Sequence, residues 1–279
     1  MIHAHFGIAH DPFTTAPELL AHQREVFEVL RVHCRQGGLC IVAGEPGTGK
    51  TLLKETLKAH DPKGLLTPHI GRTLHTYHNT LRILCQSFGA DFDGSDHKCE
   101  KRLIEEAHRL YRKGQALAVL IDDAHLMDLH CLRKLRLLTG EFPKNHTLVL
   151  FAQTELLARL ALGVNEDLRS RVTYSTLLPK LEPEDIQRFI LDQFDRCGLP
   201  HTALGEAALA LIARSSDGIL RHAKTLTIAA LIHAVRAQKR TADTQEVNAA
   251  LMQPHWRTQE HWLQAPASTP APGKPAQAQ

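Results

Sequence analysis

The chain has 279 residues, 43% hydrophobic and 23% charged, with a formal net charge of +3 when histidine is neutral. That is enough apolar material for one large core and a smaller second one, and too little charge imbalance to demand a nucleic-acid partner. No run approaches the ~18 uninterrupted apolar residues of a membrane span. Met1-Ile2-His3-Ala4-His5 lacks the basic-then-apolar pattern of a secretory signal, so a soluble, cytoplasmic protein with no membrane partner is expected.

The opening segment, residues 1–37, holds one expected helix from Pro17 to about Cys34, with Leu19, Leu20, Val26, Phe27 and Leu30 on one face. The apolar run Leu39-Cys40-Ile41-Val42-Ala43 then leads directly into Gly44-Glu45-Pro46-Gly47-Thr48-Gly49-Lys50-Thr51. This is a full match to the phosphate-cradling pattern G-x-x-x-x-G-K-[ST]. Its glycines let consecutive N–H groups point at phosphate oxygens at the start of the helix that begins near Lys50 and runs on through Leu52. Lys50 is expected to meet the β- and γ-phosphates of a nucleoside triphosphate, and the Thr51 hydroxyl the Mg²⁺. An ordinary glycine-rich turn would not be bracketed by an apolar strand and a helical pattern.

Further strands are expected near 65–70, 117–122, 147–152 and 172–178, separated by helices near 76–88, 97–113, 128–139 and 154–163. Strands alternating with helices imply parallel crossovers, so residues 38–179 should form a layered α/β domain with a five-stranded parallel sheet and its ligand at the carboxyl edge. The third strand, Ala116-Leu117-Ala118-Val119-Leu120-Ile121, ends in Asp122-Asp123. Asp122 is suited to hold Mg²⁺ through its water shell, and Asp123 to polarise an attacking water; a capped strand end is the structural alternative. After Pro179, helices near 183–197, 203–215, 219–237 and 243–252 suggest a small all-α lid, residues 180–253. The remaining 254–279, low in complexity from Gln264 onward, should be disordered.

The six cysteines include no C-x-x-C pair, and none of the nineteen histidines, His3, His5, His10, His75 and His78 included, has a matched second pair at ligand spacing. Disulfides and structural zinc are therefore not indicated.

Taken in order, His5-Phe6-Gly7-Ile8 with Asp11-Pro12-Phe13, the phosphate loop, Leu120-Ile121-Asp122-Asp123-Ala124-His125, Leu168-Arg169-Ser170-Arg171-Val172 and Gly218-Ile219-Leu220-Arg221 resemble the ExeA-like branch of the AAA+ ATPases over about residues 3–252. The resemblance implies a P-loop AAA+ three-layer fold and an enzyme that hydrolyses ATP with Mg²⁺ in a homo-oligomeric ring or filament. By position it makes Gln153 a polar sensor at a strand end, with capping of the following helix as its alternative role. Arg171, or else Arg169, becomes a finger reaching the neighbouring subunit's γ-phosphate, and Arg221 a lid residue that senses nucleotide. Similar proteins carry Glu at the position of Asp123; the shorter side chain holds its carboxylate roughly 1.5 Å further back and implies slow hydrolysis.

Among ExeA-like proteins, stand-alone forms resemble transposition ATPases of the Mu B and TnsC type. The resemblance therefore implies an ATP-dependent oligomer on double-stranded target DNA that recruits a transposase or integrase partner. Candidate DNA contacts are Lys98, Lys101 and Arg102, and the cluster Arg133, Lys134 and Arg136; solvated helix faces are the plain alternative. A secretion or pilus assembly ATPase and a helicase loader are the other readings.

Overall fold

The computed structural model describes residues 1–15, 18–71, 76–92 and 94–256. The expected helix start at Pro17, His75, and the expected disordered tail from 257 onward lie outside the described residues. Pro254–Trp256, assigned to that tail from sequence, form a short 3-10 turn, and the Trp256 ring packs edge-on against His222.

A short helix, α1 (Ile2–Phe6), ends at Gly7 in the left-handed region, and α2 (Ala21–Gln36) follows. Helix α2 starts later than its periodicity predicts because the Gln23 side chain accepts the Leu20 N–H at 3.1 Å, fixing the cap there. Then come β1 (Gly38–Gly44), α3 (Lys50–His60), β2 (Leu65–Leu66), β3 (His69–Ile70), α4 (Tyr77–Phe88), α5 (Asp96–Arg112), β4 (Ala116–Ile121), α6 (Leu129–Gly140), β5 (His146–Ala152), α7 (Thr154–Ala161), α8 (Glu166–Arg169) and β6 (Val172–Leu178).

The sheet is six-stranded in the order β2-β4-β5-β1-β6, with β3 also pairing β4, and every pairing is parallel. The extra strand relative to the five expected is the second one divided at Thr67-Pro68. Proline has no N–H to give the ladder, yet its carbonyl still accepts Leu120 N–H at 2.8 Å. Alternation along the strands fills two layers. Leu39, Ile41, Val119, Ile121, Leu148 and Leu150 face α4 to α7, while Cys40, Val42, Ala118, Leu120, Val149 and Phe151 face α2 and α3. This is the P-loop AAA+ architecture, and its carboxyl edge gathers the ends of β1, β4 and β5.

The helical part comprises α9 (Pro183–Cys197), α10 (Glu206–Ser215), α11 (Leu220–Arg236) and α12 (Thr244–Leu251), around a core of its own that includes Phe194, Ile212, Leu226 and Leu231. The opening residues belong to this core and not to the sheet: Ile2 and Phe13 are buried in it. His5 Nε2 meets Lys239 O at 2.9 Å, and Arg240 donates to His5 O. All six cysteines are buried. Among the described residues no helix is long and apolar enough to cross a membrane.

Candidate functional site

Strand β1 is buried up to Gly44 and delivers the loop to the sheet edge, where Gly47 (φ 91) and Gly49 (φ 100) take left-handed backbone that a side chain would strain. The loop is braced from both sides. Gln23, fully buried on α2, donates its amide to Thr48 O at 3.0 Å, and the Thr48 hydroxyl donates to Glu45 O at 2.9 Å. From the start of α11, Arg221 N–H donates to Gly47 O at 3.3 Å. A Cβ on Gly47 would stand 2.7 Å from that of Arg221 and 2.8 Å from Ile219, so the start of α11 rests directly on the loop.

Lys50 opens α3 and folds its ammonium back onto the loop, donating to Gly44 O at 2.7 Å and Glu45 O at 2.9 Å. Burial pulls this ammonium below its ordinary pKa, opposed by the carboxylates of Asp123 and Asp122. Asp122 follows β4. Its Oδ1 accepts the Asp123 N–H at 3.0 Å and its Oδ2 the Lys54 ammonium at 2.6 Å. Asp123 adopts left-handed backbone (φ 48, ψ 38), a conformation Asp tolerates better than most residues, and this turns its side chain out into the cleft.

Gln153 lies at the end of β5. Its side chain makes no cap hydrogen bond to α7 and lines the cleft. The buried His125 ties these two strand ends together: its Nδ1 accepts Gln153 N–H at 3.4 Å, while Arg159 donates to His125 O at 2.7 Å.

Gly47, Gly49, Lys50, Asp122, Asp123 and Gln153 line one cleft of about 510 Å³ with Thr51, Leu52, Arg221, Lys224 and Thr225. Its far end is apolar and was not foreseen from sequence. Phe13 and Phe189 meet there with their rings 5.8 Å apart, Leu20 and Gln193 line the cleft too, and Leu220 and Gln23 stand nearer the loop, against Gly49. Lys224 fastens the opening segment by donating to Phe13 O at 3.3 Å. A polar, glycine-lined end continuous with an aromatic end suits a nucleotide with its phosphates on the loop and its base against the rings. Thr51 and Asp122 present only oxygen donors, the chemistry a hard cation on phosphate takes.

The other expected residues lie elsewhere. Arg169 and Arg171 precede β6 outside the cleft; Arg169 pairs with Glu166 and donates to Ala161 O at 3.3 Å. The Arg171 side chain is exposed and has no hydrogen bond or ion pair among the described residues. On α5, Lys98 and Lys101 are exposed and Arg102 donates to Asp91 O at 2.9 Å. On α6, Arg133 is held by Asp167 at 2.9 Å and Asn165 at 2.6 Å, Lys134 sits 5.2 Å from the centre of the Tyr77 ring, and Arg136 is half-buried.

Residues 32–160 match the family described as AAA domain. Over 82% of its length the chain is 28% identical to the general secretion pathway protein A of Aeromonas hydrophila, and it spans only 44% of that relative. Among solved structures, Cdc6p from Pyrobaculum aerophilum superposes with a TM-score of 0.73 at 15% identity, covering 93% of this chain and 75% of that one. The Aeropyrum pernix ORC2 protein gives 0.69 at 17%, covering 92% and 74%. The ORC1 protein of the same organism, solved in complex with DNA, gives 0.65 at 17%, covering 85% and 66%. Residues 32–160 thus match the AAA domain family, within a P-loop AAA+ fold shared with these solved structures, and the chain is similar in sequence to the secretion protein.

Proposed function

We propose that this chain binds and hydrolyses ATP as an ExeA-like AAA+ ATPase, using nucleotide-dependent contact between loop and lid to govern assembly with further copies of itself and with a protein partner. The observation that carries this reading is the convergence of the phosphate loop, Asp122, Asp123, Gln153 and Arg221 on one cleft, with the lid hydrogen-bonded to Gly47 O. Lys50 leaves two loop carbonyls to meet the β- and γ-phosphates, and Asp123 orients water toward the γ-phosphate. Thr51 and Asp122 would hold Mg²⁺, which when bound offsets the phosphate charge. Gln153 and Arg221 report the γ-phosphate to the core and the lid, and Arg171, outside its own cleft, serves that of a neighbour. Lys50→Ala tests the foundation by equilibrium binding of a fluorescent ATP analogue; undiminished affinity in the variant refutes it.

The choice of an assembly ATPase over a transposition regulator rests on the secretion relative. The transposition reading keeps one specific support, the DNA held by a solved protein of this fold, and it makes duplex DNA and a transposase the partners. Anisotropy binding to duplex DNA across a salt series separates the two. ATP-dependent binding that weakens steeply with salt, and loses slope in Lys98→Ala/Lys101→Ala, selects the DNA reading. No binding at low salt with ATP present selects the protein-partner reading.

A further inference from the structure

The buried stripe of α3 reads Lys50, Leu53, Lys54, Leu57, at the spacing of a core-facing helix side, and so holds two lysines where a core asks for none. Lys50 belongs to the phosphate loop. Lys54 does not, and its side chain is only 5% exposed. Its ammonium has three neighbours: Asp122 Oδ2 at 2.6 Å, His69 Nε2 at 3.0 Å and Glu55 Oε1 at 3.4 Å. His69, on β3, is held neutral toward lower pH by burial and by Lys54 itself, so its Nε2 accepts the proton that Lys54 donates. Asp122 is itself 13% exposed and has its other oxygen on the Asp123 N–H. The carboxylate that suits Mg²⁺ therefore already has a buried, fixed cation against it.

We propose that Lys54 is the resident counter-cation of Asp122: it orients this carboxylate and supplies positive charge on the metal side of the cleft, so that nucleotide binding here depends less on Mg²⁺ than it would with Asp122 alone. The physics is competition for one negative charge. A divalent ion approaching Asp122 meets a carboxylate already paired and an ammonium that repels it, while phosphate without metal still meets Lys50 in the cleft and feels the charge of Lys54 from behind Asp122. The inference rests on the nucleotide reading of the cleft.

The test is the ratio of affinities for a fluorescent ATP analogue measured in saturating Mg²⁺ and in EDTA, at equilibrium and without turnover. In Lys54→Met this ratio should rise roughly tenfold or more, since metal-free binding weakens and the freed carboxylate attracts the ion. Lys54→Gln guards against misfolding, because its amide still donates to Asp122 without carrying charge, and it should raise the ratio likewise. Lys54→Arg should keep the wild-type ratio. A ratio unchanged in both neutral variants, or raised equally in Lys54→Arg, overturns the assignment while leaving the nucleotide site intact. A wild-type chain that binds no analogue under either condition overturns the nucleotide reading and this inference with it.

Discussion

Replacing Gln23 with Ala isolates the brace that α2 gives the phosphate loop. Gln23 is fully buried, donates to Thr48 O at 3.0 Å and accepts Leu20 N–H at 3.1 Å. Truncation removes both hydrogen bonds and leaves Thr48 O, on a residue only 3% exposed, without this donor. Leaving the buried Thr48 O without its donor costs about 1–3 kcal/mol and losing the part-buried Leu20 bond about 1 kcal/mol, so the pair predicts a loss of roughly 2–4 kcal/mol of stability. At roughly 2–4 °C per kcal/mol for a chain of this size the melting midpoint should fall visibly. Gly49 adds a second consequence. Its Cα faces the Gln23 amide so closely that a Cβ would collide with it, and removing the amide frees the φ 100 turn to relax. Affinity for an ATP analogue should therefore drop in Gln23→Ala even at temperatures where the protein is fully folded. Denaturant unfolding gives the first quantity and analogue titration the second. Unchanged values of both would show that the loop holds its shape without α2 and would refute the reasoning.

Arg171→Ala should bind ATP yet hydrolyse it far more slowly, and mixing it with Lys50→Ala should restore part of the turnover if Arg171 completes a neighbour's site; an inactive mixture of confirmed oligomers places each site within one subunit. Asp123→Asn should preserve both the left-handed turn and ATP binding while prolonging the ATP-bound state. Asp123→Glu sets longer reach against about 1 kcal/mol of added backbone strain, and steady-state ATPase shows whether reach is what limits the rate. Burial holds His146 below its ordinary value of 6.5, so the unfolded chain takes up a proton near that pH that the folded chain refuses. Its contribution to stability is thus complete above 6.5 and lost as the pH falls below it. The melting midpoint should drop between about pH 7.5 and about pH 5.5, and less so in His146→Asn, whose amide can still donate to Pro143 O.

The sequence by itself determined the local devices. The loop Gly44 to Thr51, the strands around it, the carboxylates at the end of β4 and the switch to helices after Pro179 are all written in short runs, because phosphate cradling, buried parallel strands and helix starts depend on neighbouring residues. Even Lys54 left a trace, as a charge inside an apolar stripe. Only the tertiary structure decided what meets across distance. Phe13 reaches Phe189, and Gln23 reaches Thr48, through contacts between elements far apart in the chain, which no local periodicity encodes. The opening segment read only as one helix ahead of the first strand, yet its Ile2 and Phe13 side chains pack into the core of the helical part. The basic cluster on α6 read as one charged face, and folding gave each member a different fate, Arg133 to Asp167, Lys134 to Tyr77 and Arg136 half inside. Charge is a property of the residue, but its availability is set by the partners that packing brings within hydrogen-bonding distance.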